Sequence, residues 1–272
     1  MTFLKTLWRW AGLTALAFSL AACSLLGTQP DQGKSGDNLD KLYADARDDL
    51  NTGSFDRAIK TLERIEARAT GTVMGQQALL DMAYAQWRMG ERTSSLATLE
   101  RFIKMHPSSP AFDYALYLKG LVNFNDNLGL LGNLARQSPA ERDQRASRDA
   151  YQAFSQLVAQ FPNSKYTPEA QVRMDYIVNA LANYEVHVAR YYLRRGAYLA
   201  AANRARQAVT EFERSPAAEE ALAIMMQSYD RLELKDLRDA SERVLRRNFP
   251  QSRFLQVGES PVPVGRSWWK FW

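Results

Sequence analysis

Cys23 is the one cysteine of the chain, and it directly follows Leu20-Ala21-Ala22 at the close of an apolar run. A thiol placed there is a nucleophile suited to accept a diacylglyceryl group. Cleavage before Cys23 then frees an amine for a further acyl chain. A single cysteine cannot form an intramolecular disulfide or a cysteine-built zinc site. Mid-chain, "ARYYLRRGAYLAAANRARQAV" (189–209) interleaves Arg190, Arg194, Arg195, Arg204 and Arg206 with Tyr191, Tyr192 and Tyr198. Arginine and tyrosine dominate protein-interface hot spots, so this chemistry is binding. The competing reading makes the tyrosines repeat core and the arginines a solvated face. A third group, "SWWKFW" (267–272), sets Trp268, Trp269, Phe271 and Trp272 around Lys270.

Catalysis needs a nucleophile beside a base, or a metal constellation, and neither is visible. His106 precedes Pro107 in an expected inter-repeat loop, and His187 falls within a long helical stretch. Gly129 and Gly132 in "GLLG" follow no strand and precede no Gly-Lys-Ser/Thr, so they are no phosphate loop. Asp48/Asp49 and Glu219/Glu220 read as solvated helix faces. The expectation is a non-enzyme with no metal and no cofactor other than covalent lipid on Cys23.

The elements around these residues assign their settings. Lys5 and Arg9 precede the apolar stretch 12–22, about a dozen residues where a membrane span needs about 20. With Cys23 after it, this resembles a bacterial lipobox, so 1–22 reads as a lipoprotein signal peptide. One acyl chain anchors weakly at about 0.8 kcal/mol per methylene, whereas a triacylated Cys23 anchors stably. Ser24 follows it rather than the aspartate associated with inner-membrane retention, which favours the outer membrane. Residues 23–37 are Gly/Ser/Gln/Pro-rich and aperiodic, a flexible tether spanning roughly 20 Å. Of the net charge of +5, Lys5 and Arg9 leave with the signal, and +3 is too weak to argue for nucleic acid.

From Leu39 the apolar period is helical: Leu39, Leu42, Tyr43, Ala46 and Leu50 make one stripe, and Phe55, Ala58, Ile59, Leu62 and Ile65 a second beyond Gly53. Helix, glycine turn and helix with small crossing residues compose one tetratricopeptide unit. Crossing residues Ala58, Ser95, Ala150, Ala201 and Ala240 repeat this unit with two stretched intervals. An insertion at 125–145 within the third unit accounts for the first. A helix of about 28 residues from an N-cap at Thr167, with Pro168 inside it, accounts for the second. Ser109-Pro110, Ser138-Pro139 and Ser215-Pro216 are expected to open helices, Ser138 with Glu141 as a capping box. The predicted fold is all-α, a tetratricopeptide-repeat solenoid of about five helix pairs over 38–250, with one long mid-chain helix. A Pro/Gly linker and aromatic tail occupy 251–272.

On "HPSSPAFDYALYLKGL" (106–121), "FSQLVAQFPNSKYTPEA" (154–170), "YEVHVARYYLRRGA" (184–197) and "NRA" (203–205), the chain resembles the BamD (ComL) family, lipoprotein subunits of the outer-membrane β-barrel assembly (BAM) machinery. The likeness spans about residues 39–250. It implies a periplasmic-face scaffold whose C-terminal repeats hold the POTRA region of the barrel subunit BamA. Its N-terminal repeats would meet unfolded outer-membrane proteins and their C-terminal targeting signal, and other BAM lipoproteins would join it. The family's BamA-contact arginine falls on Arg204, with Arg195, Tyr191 and Tyr192 nearby. Enteric members carry an aromatic-Pro-Phe-Gly turn where this chain has "ATGT" (69–72), so substrate contacts of that turn do not transfer. Another repeat lipoprotein, such as a pilus-secretin pilotin, is the alternative. The tail has three candidate sites: the last repeat, another subunit or the periplasmic leaflet, where tryptophan is favoured.

Overall fold

The computed structural model describes residues 35–124, 144–256 and Pro261. Among these, ten α-helices follow one another and no strand occurs: α1 (Ser35–Asn51), α2 (Phe55–Arg68), α3 (Val73–Arg88), α4 (Arg92–Met105), α5 (Phe112–Asn123), α6 (Gln144–Gln160), α7 (Thr167–Arg194), α8 (Tyr198–Glu211), α9 (Ala217–Arg231) and α10 (Lys235–Asn248). They pair as antiparallel hairpins, five in all, in a tetratricopeptide-type solenoid. α1 begins at Ser35, inside the segment read as tether. The insertion's Ser138-Pro139 and Glu141, the signal peptide and Cys23 lie outside the described residues.

Two backbone devices repeat along the chain. Within a pair, the first helix stops at a residue in the left-handed conformation: Gly53 (φ 78°), Gly90 (81°), Gly196 (76°) and Glu233 (62°). The next amide then donates back five residues, Ser54 to Asp49, Glu91 to Gln86, Ala197 to Tyr192 and Leu234 to Tyr229, at 2.8–3.0 Å. This is the Schellman closure, which satisfies carbonyls the helix end would orphan. Glu233 carries a Cβ where the other three turns have glycine.

Between pairs, a hydroxyl residue closes the turn. The amides of Thr72, Ser109, Ser164, Ser215 and Ser252 donate to the carbonyl three residues earlier at 2.9–3.1 Å. Their side-chain oxygens accept from the amides of Gly75, Ala111, Tyr166, Ala217 and Phe254. So the serines of Ser109-Pro110 and Ser215-Pro216 shape the turns, and each helix begins two or three residues later. Thr167 is likewise not a cap: its hydroxyl donates to the Phe161 carbonyl at 2.7 Å, and Ser164 closes the turn before α7. These five residues are 37, 55, 51 and 37 apart. The third interval exceeds 37 by 14 residues, close to four helical turns, so α7 lengthens without rotating its buried face.

Counting five residues from each left-handed turn gives the crossing positions Ala58, Ser95 and Ala201, all fully buried. In the last pair that register falls on Arg238, bound to Asp239 at 2.6 Å, and not on the half-buried Ala240. The turn sets the register, and a small residue two positions away does not shift it. In the third pair the close approach is made by Gly120: a Cβ there would lie 2.2 Å from the Phe154 ring.

α7 serves two cores. Ala170, Ile177 and Leu181 pack with Phe112, Phe154 and Leu157 of the third pair. Val186, Ala189 and Leu193 pack with Ala201, Ala205 and Ile224 of the fourth and fifth. One rigid helix therefore joins the N-terminal half to the C-terminal half. After α10 the chain does not leave the body at once. A 3₁₀ turn, Arg253–Leu255, buries Phe254 against Leu222, Ala223 and Leu245. The linker read from residue 251 thus starts as a docked turn, the first step of another unit.

Candidate protein-docking surfaces

The mid-chain arginines and tyrosines divide into two kinds. At the C-terminal end of α7, Tyr191 is 43% exposed, and its ring meets Tyr192 edge-on at 5.7 Å. The Arg195 guanidinium lies 5.1 Å from the Tyr191 ring centroid, a cation–π arrangement. Leu199, on the first turn of α8, is 60% exposed beside the same turn. Tyr192 instead packs partly into the core with Leu193 and Tyr198. The result is an exposed aromatic and aliphatic pair carrying positive charge, the composition that anchors protein interfaces.

Arg204 stands apart from them. Its Nη1 donates to Glu185 Oε2 at 3.1 Å, and that carboxylate is only 2% exposed. Arg204 thus neutralises a buried charge on α7 while its own side chain stays 42% exposed. Glu185 precedes Tyr191 by six residues, about 9 Å along the helix axis. Arg190 is also occupied, gripping Glu220 through two nitrogens at 2.6–2.7 Å. Glu220 and Asp49, which holds Arg57 at 2.8 Å, therefore do more than face solvent: each ties neighbouring helices together. His106 caps α4 in its loop, its ring 5.4 Å from that of Phe102, and His187 sits half-buried in α7.

A second surface went unread in the sequence. A cleft of about 430 Å³ between the first, second and third pairs is lined by Arg47, Phe55, Asp81, Tyr84, Arg88 and Tyr114. Asp81 forms its floor at 6% exposure. Tyr43 Oη donates to Asp81 at 2.8 Å, Gln77 Nε2 at 3.0 Å, and Arg47 stands 3.7 Å away. Burial raises the Asp81 pKa above the ordinary carboxylate range, opposed by the Tyr43 and Gln77 hydrogen bonds and then by Arg47. Burial, then the neighbouring Asp81, pushes the Tyr43 hydroxyl up to about 12. On the wall, Arg88 lies over the Phe55 and Tyr84 rings at 5.3 and 5.6 Å and donates to Tyr84 Oη at 2.6 Å. A signal for this site is present in the sequence: Asp81 interrupts the apolar run "ALLDMAYA" (78–85) on a buried face.

Among the described residues no group of three histidines, cysteines or carboxylates could hold a metal, and no helix is long and apolar enough to cross a membrane. Cys23 and the tail residues Trp268, Trp269, Phe271 and Trp272 lie outside the described residues. At 69–72 the chain makes the first inter-pair turn, with Thr72 capping α3.

The profile of the YfiO family, described as "Outer membrane lipoprotein", matches residues 36–254. The Neisseria gonorrhoeae "Outer membrane protein assembly factor BamD" is 42% identical over 260 residues, covering 95% of this chain and 97% of that protein. Its namesake in Neisseria meningitidis serogroup A gives the same identity and coverage. That of Pasteurella multocida is 30% identical over 92% of this chain and 94% of its own length. The match takes in the stretched third unit, the long α7 and the tyrosine-arginine turn together, and the chain belongs to the BamD family of non-catalytic outer-membrane lipoproteins.

Proposed function

We infer that this protein is a scaffold of the BAM complex, held at the periplasmic face of the outer membrane by acylated Cys23, which promotes assembly of β-barrel proteins. Residues 1–22 act as its signal peptide and 23–34 as its tether. The exposed Tyr191–Arg195 pair with Leu199 is the observation that carries the BamA contact: it is an apolar, cationic anchor where the family implies docking of the POTRA region. Tyr192 supports this surface from beneath, and Arg204, paired with Glu185 apart from the turn, offers its half-exposed guanidinium as a separate BamA contact. The N-terminal cleft, aromatic-walled with Arg47 at its rim, suits a segment of an unfolded barrel protein carrying aromatic side chains and a carboxylate. α7 couples the two surfaces mechanically, and other BAM lipoproteins assemble on the same body.

The test is capture of BamA by the full-length lipoprotein from detergent-solubilised membranes. Tyr191→Ala with Arg195→Glu removes the anchor and reverses the charge without touching a buried partner. Capture is expected to fall at least tenfold while the circular dichroism melt stays unchanged. Full capture by this variant rules the surface out.

A further inference from the structure

The aromatic wall of the N-terminal cleft does not end at Tyr114. The Tyr114 ring, which lines the cleft, meets the Tyr166 ring at 5.5 Å, and Tyr166 stacks on Tyr117 at 4.7 Å with the planes 16° apart. Tyr84 comes from α3, Tyr114 from α5 and Tyr166 from the turn just ahead of α7, so three successive pairs each add a tyrosine. Tyr114 and Tyr166 are half-buried, and neither is sealed in the core. One carboxylate fixes the continuation. Asp113 Oδ1 accepts from the Tyr114 amide and Oδ2 from the Ser164 hydroxyl, both at 2.7 Å. Ser164 Oγ accepts in turn from the Tyr166 amide at 3.2 Å. The backbone that carries one ring is thereby tied to the backbone that carries the next. Both ends of this track present the same chemistry. Arg88 lies over the Phe55 and Tyr84 rings, and Lys165 Nζ, on an exposed residue, lies 5.0 Å from the Tyr166 centroid. Among the described residues neither cation forms a salt bridge to a carboxylate. By contrast, Arg57, Arg101 and Lys119 of the same half hold Asp49, Glu66 and Glu100 at 2.8–3.4 Å.

We propose that the Lys165–Tyr166 turn is a second subsite of the cleft, and that the substrate is an extended segment with two aromatic side chains on one face, about six residues apart, each beside a carboxylate. The proposal rests on the cleft being the substrate site and adds the length and side-chain spacing of what it takes. A cation lying over a tyrosine ring suits such a pair: the ring stacks on the aromatic wall and the carboxylate meets the unpaired charge. The spacing follows from the solenoid. At about 10 Å per step between neighbouring helices, Tyr84 and Tyr166 stand about 20 Å apart, two steps along it. An extended chain covers that distance in about six residues. Residues an even number apart point to the same face of a strand, and residues an odd number apart point to opposite faces. Alternating side chains of an unfolded barrel strand therefore fit the track in one register and fail in the next.

Two fluorescein-labelled peptides of equal length test it, each a Ser/Thr chain carrying two Phe-Asp units. Their phenylalanines are six positions apart in one and five in the other, and anisotropy reads binding to the full-length lipoprotein in detergent. The six-spaced peptide is expected to bind about tenfold tighter. Lys165→Glu and Tyr166→Ala should each remove most of that preference and leave the five-spaced affinity unchanged, whereas Tyr84→Ala, in the cleft itself, should weaken both peptides. Lys165 is exposed, so its reversal decides the matter if Tyr166→Ala lowers Tm. Equal affinity for the two peptides, or a preference that survives Lys165→Glu, overturns the second subsite; if Tyr84→Ala still weakens both, the cleft reading stands without it. Binding of neither peptide, or binding indifferent to Tyr84→Ala, overturns the cleft as the substrate site and the extension with it.

Discussion

Replacing Arg204 with alanine separates a residue that touches a partner from one that holds the repeat together. Its substitution strands the Glu185 carboxylate, 2% exposed, without the cation 3.1 Å away. Removing one partner of a fully buried pair costs about 3–5 kcal/mol. Here the guanidinium is 42% exposed, so water can enter the vacated space and solvate the carboxylate in part. A loss of about 2 kcal/mol is expected. For a folded body of this size that is a fall in Tm of about 4–8 °C. Adding Glu185→Gln removes the stranded charge, and the double variant should recover more than half of the loss. The pair's coupling would then be about 1–1.5 kcal/mol. Circular dichroism melts of the four proteins of the cycle, in one detergent and buffer, give the energies, and BamA capture is read on the same samples. A single variant within 1 °C of the wild type would falsify the ion-pair account. A double variant as unstable as Arg204→Ala would refute it differently, by placing the cost in lost packing of the arginine stem. If capture returns with stability in the double variant, Arg204 positions α8 against α7; if capture stays low, Arg204 meets the partner directly.

Glu233→Gly should raise Tm by about 1–3 °C, since glycine relieves a left-handed backbone that costs a side-chain-bearing residue roughly 1 kcal/mol, less the added unfolded-state entropy; an unchanged or lower Tm counts against strain at that turn. Asp81 binds its proton more tightly folded than unfolded, so its ionisation opposes folding: its contribution improves as pH falls through the folded-state pKa and is complete below the unfolded one. Asp81→Asn should therefore gain stability over the wild type near neutral pH and lose that advantage in acid, as urea titrations across the pH range will show; a pH-independent difference contradicts this. Cys23→Ala should abolish labelled-palmitate incorporation and release the protein from the outer-membrane fraction, and retention of both would remove lipidation from the proposed function.

Much of this architecture was readable because it is written in short-range signals. The glycines at 53, 90 and 196 mark turns through their own backbone freedom, the 3.6-residue apolar period marks helices, and the absence of glycine or proline between Pro168 and Gly196 foretold the 28-residue α7. The family resemblance rested on the same local patterns. Errors arose where a choice depended on what lay opposite. Thr167 looks like a cap until Ser164 is seen to close the turn before the helix and the threonine hydroxyl to reach Phe161. Ala240 looks like a crossing residue until the turn at Glu233 places Arg238 there. Only the tertiary structure could decide that Asp81 meets Tyr43 from 38 residues away, or that Arg204 closes on Glu185 rather than pointing wholly outward. Those pairings depend on the angle at which one helix lies on the next. That angle emerges from side-chain packing along the whole solenoid, and no single stretch of sequence encodes it.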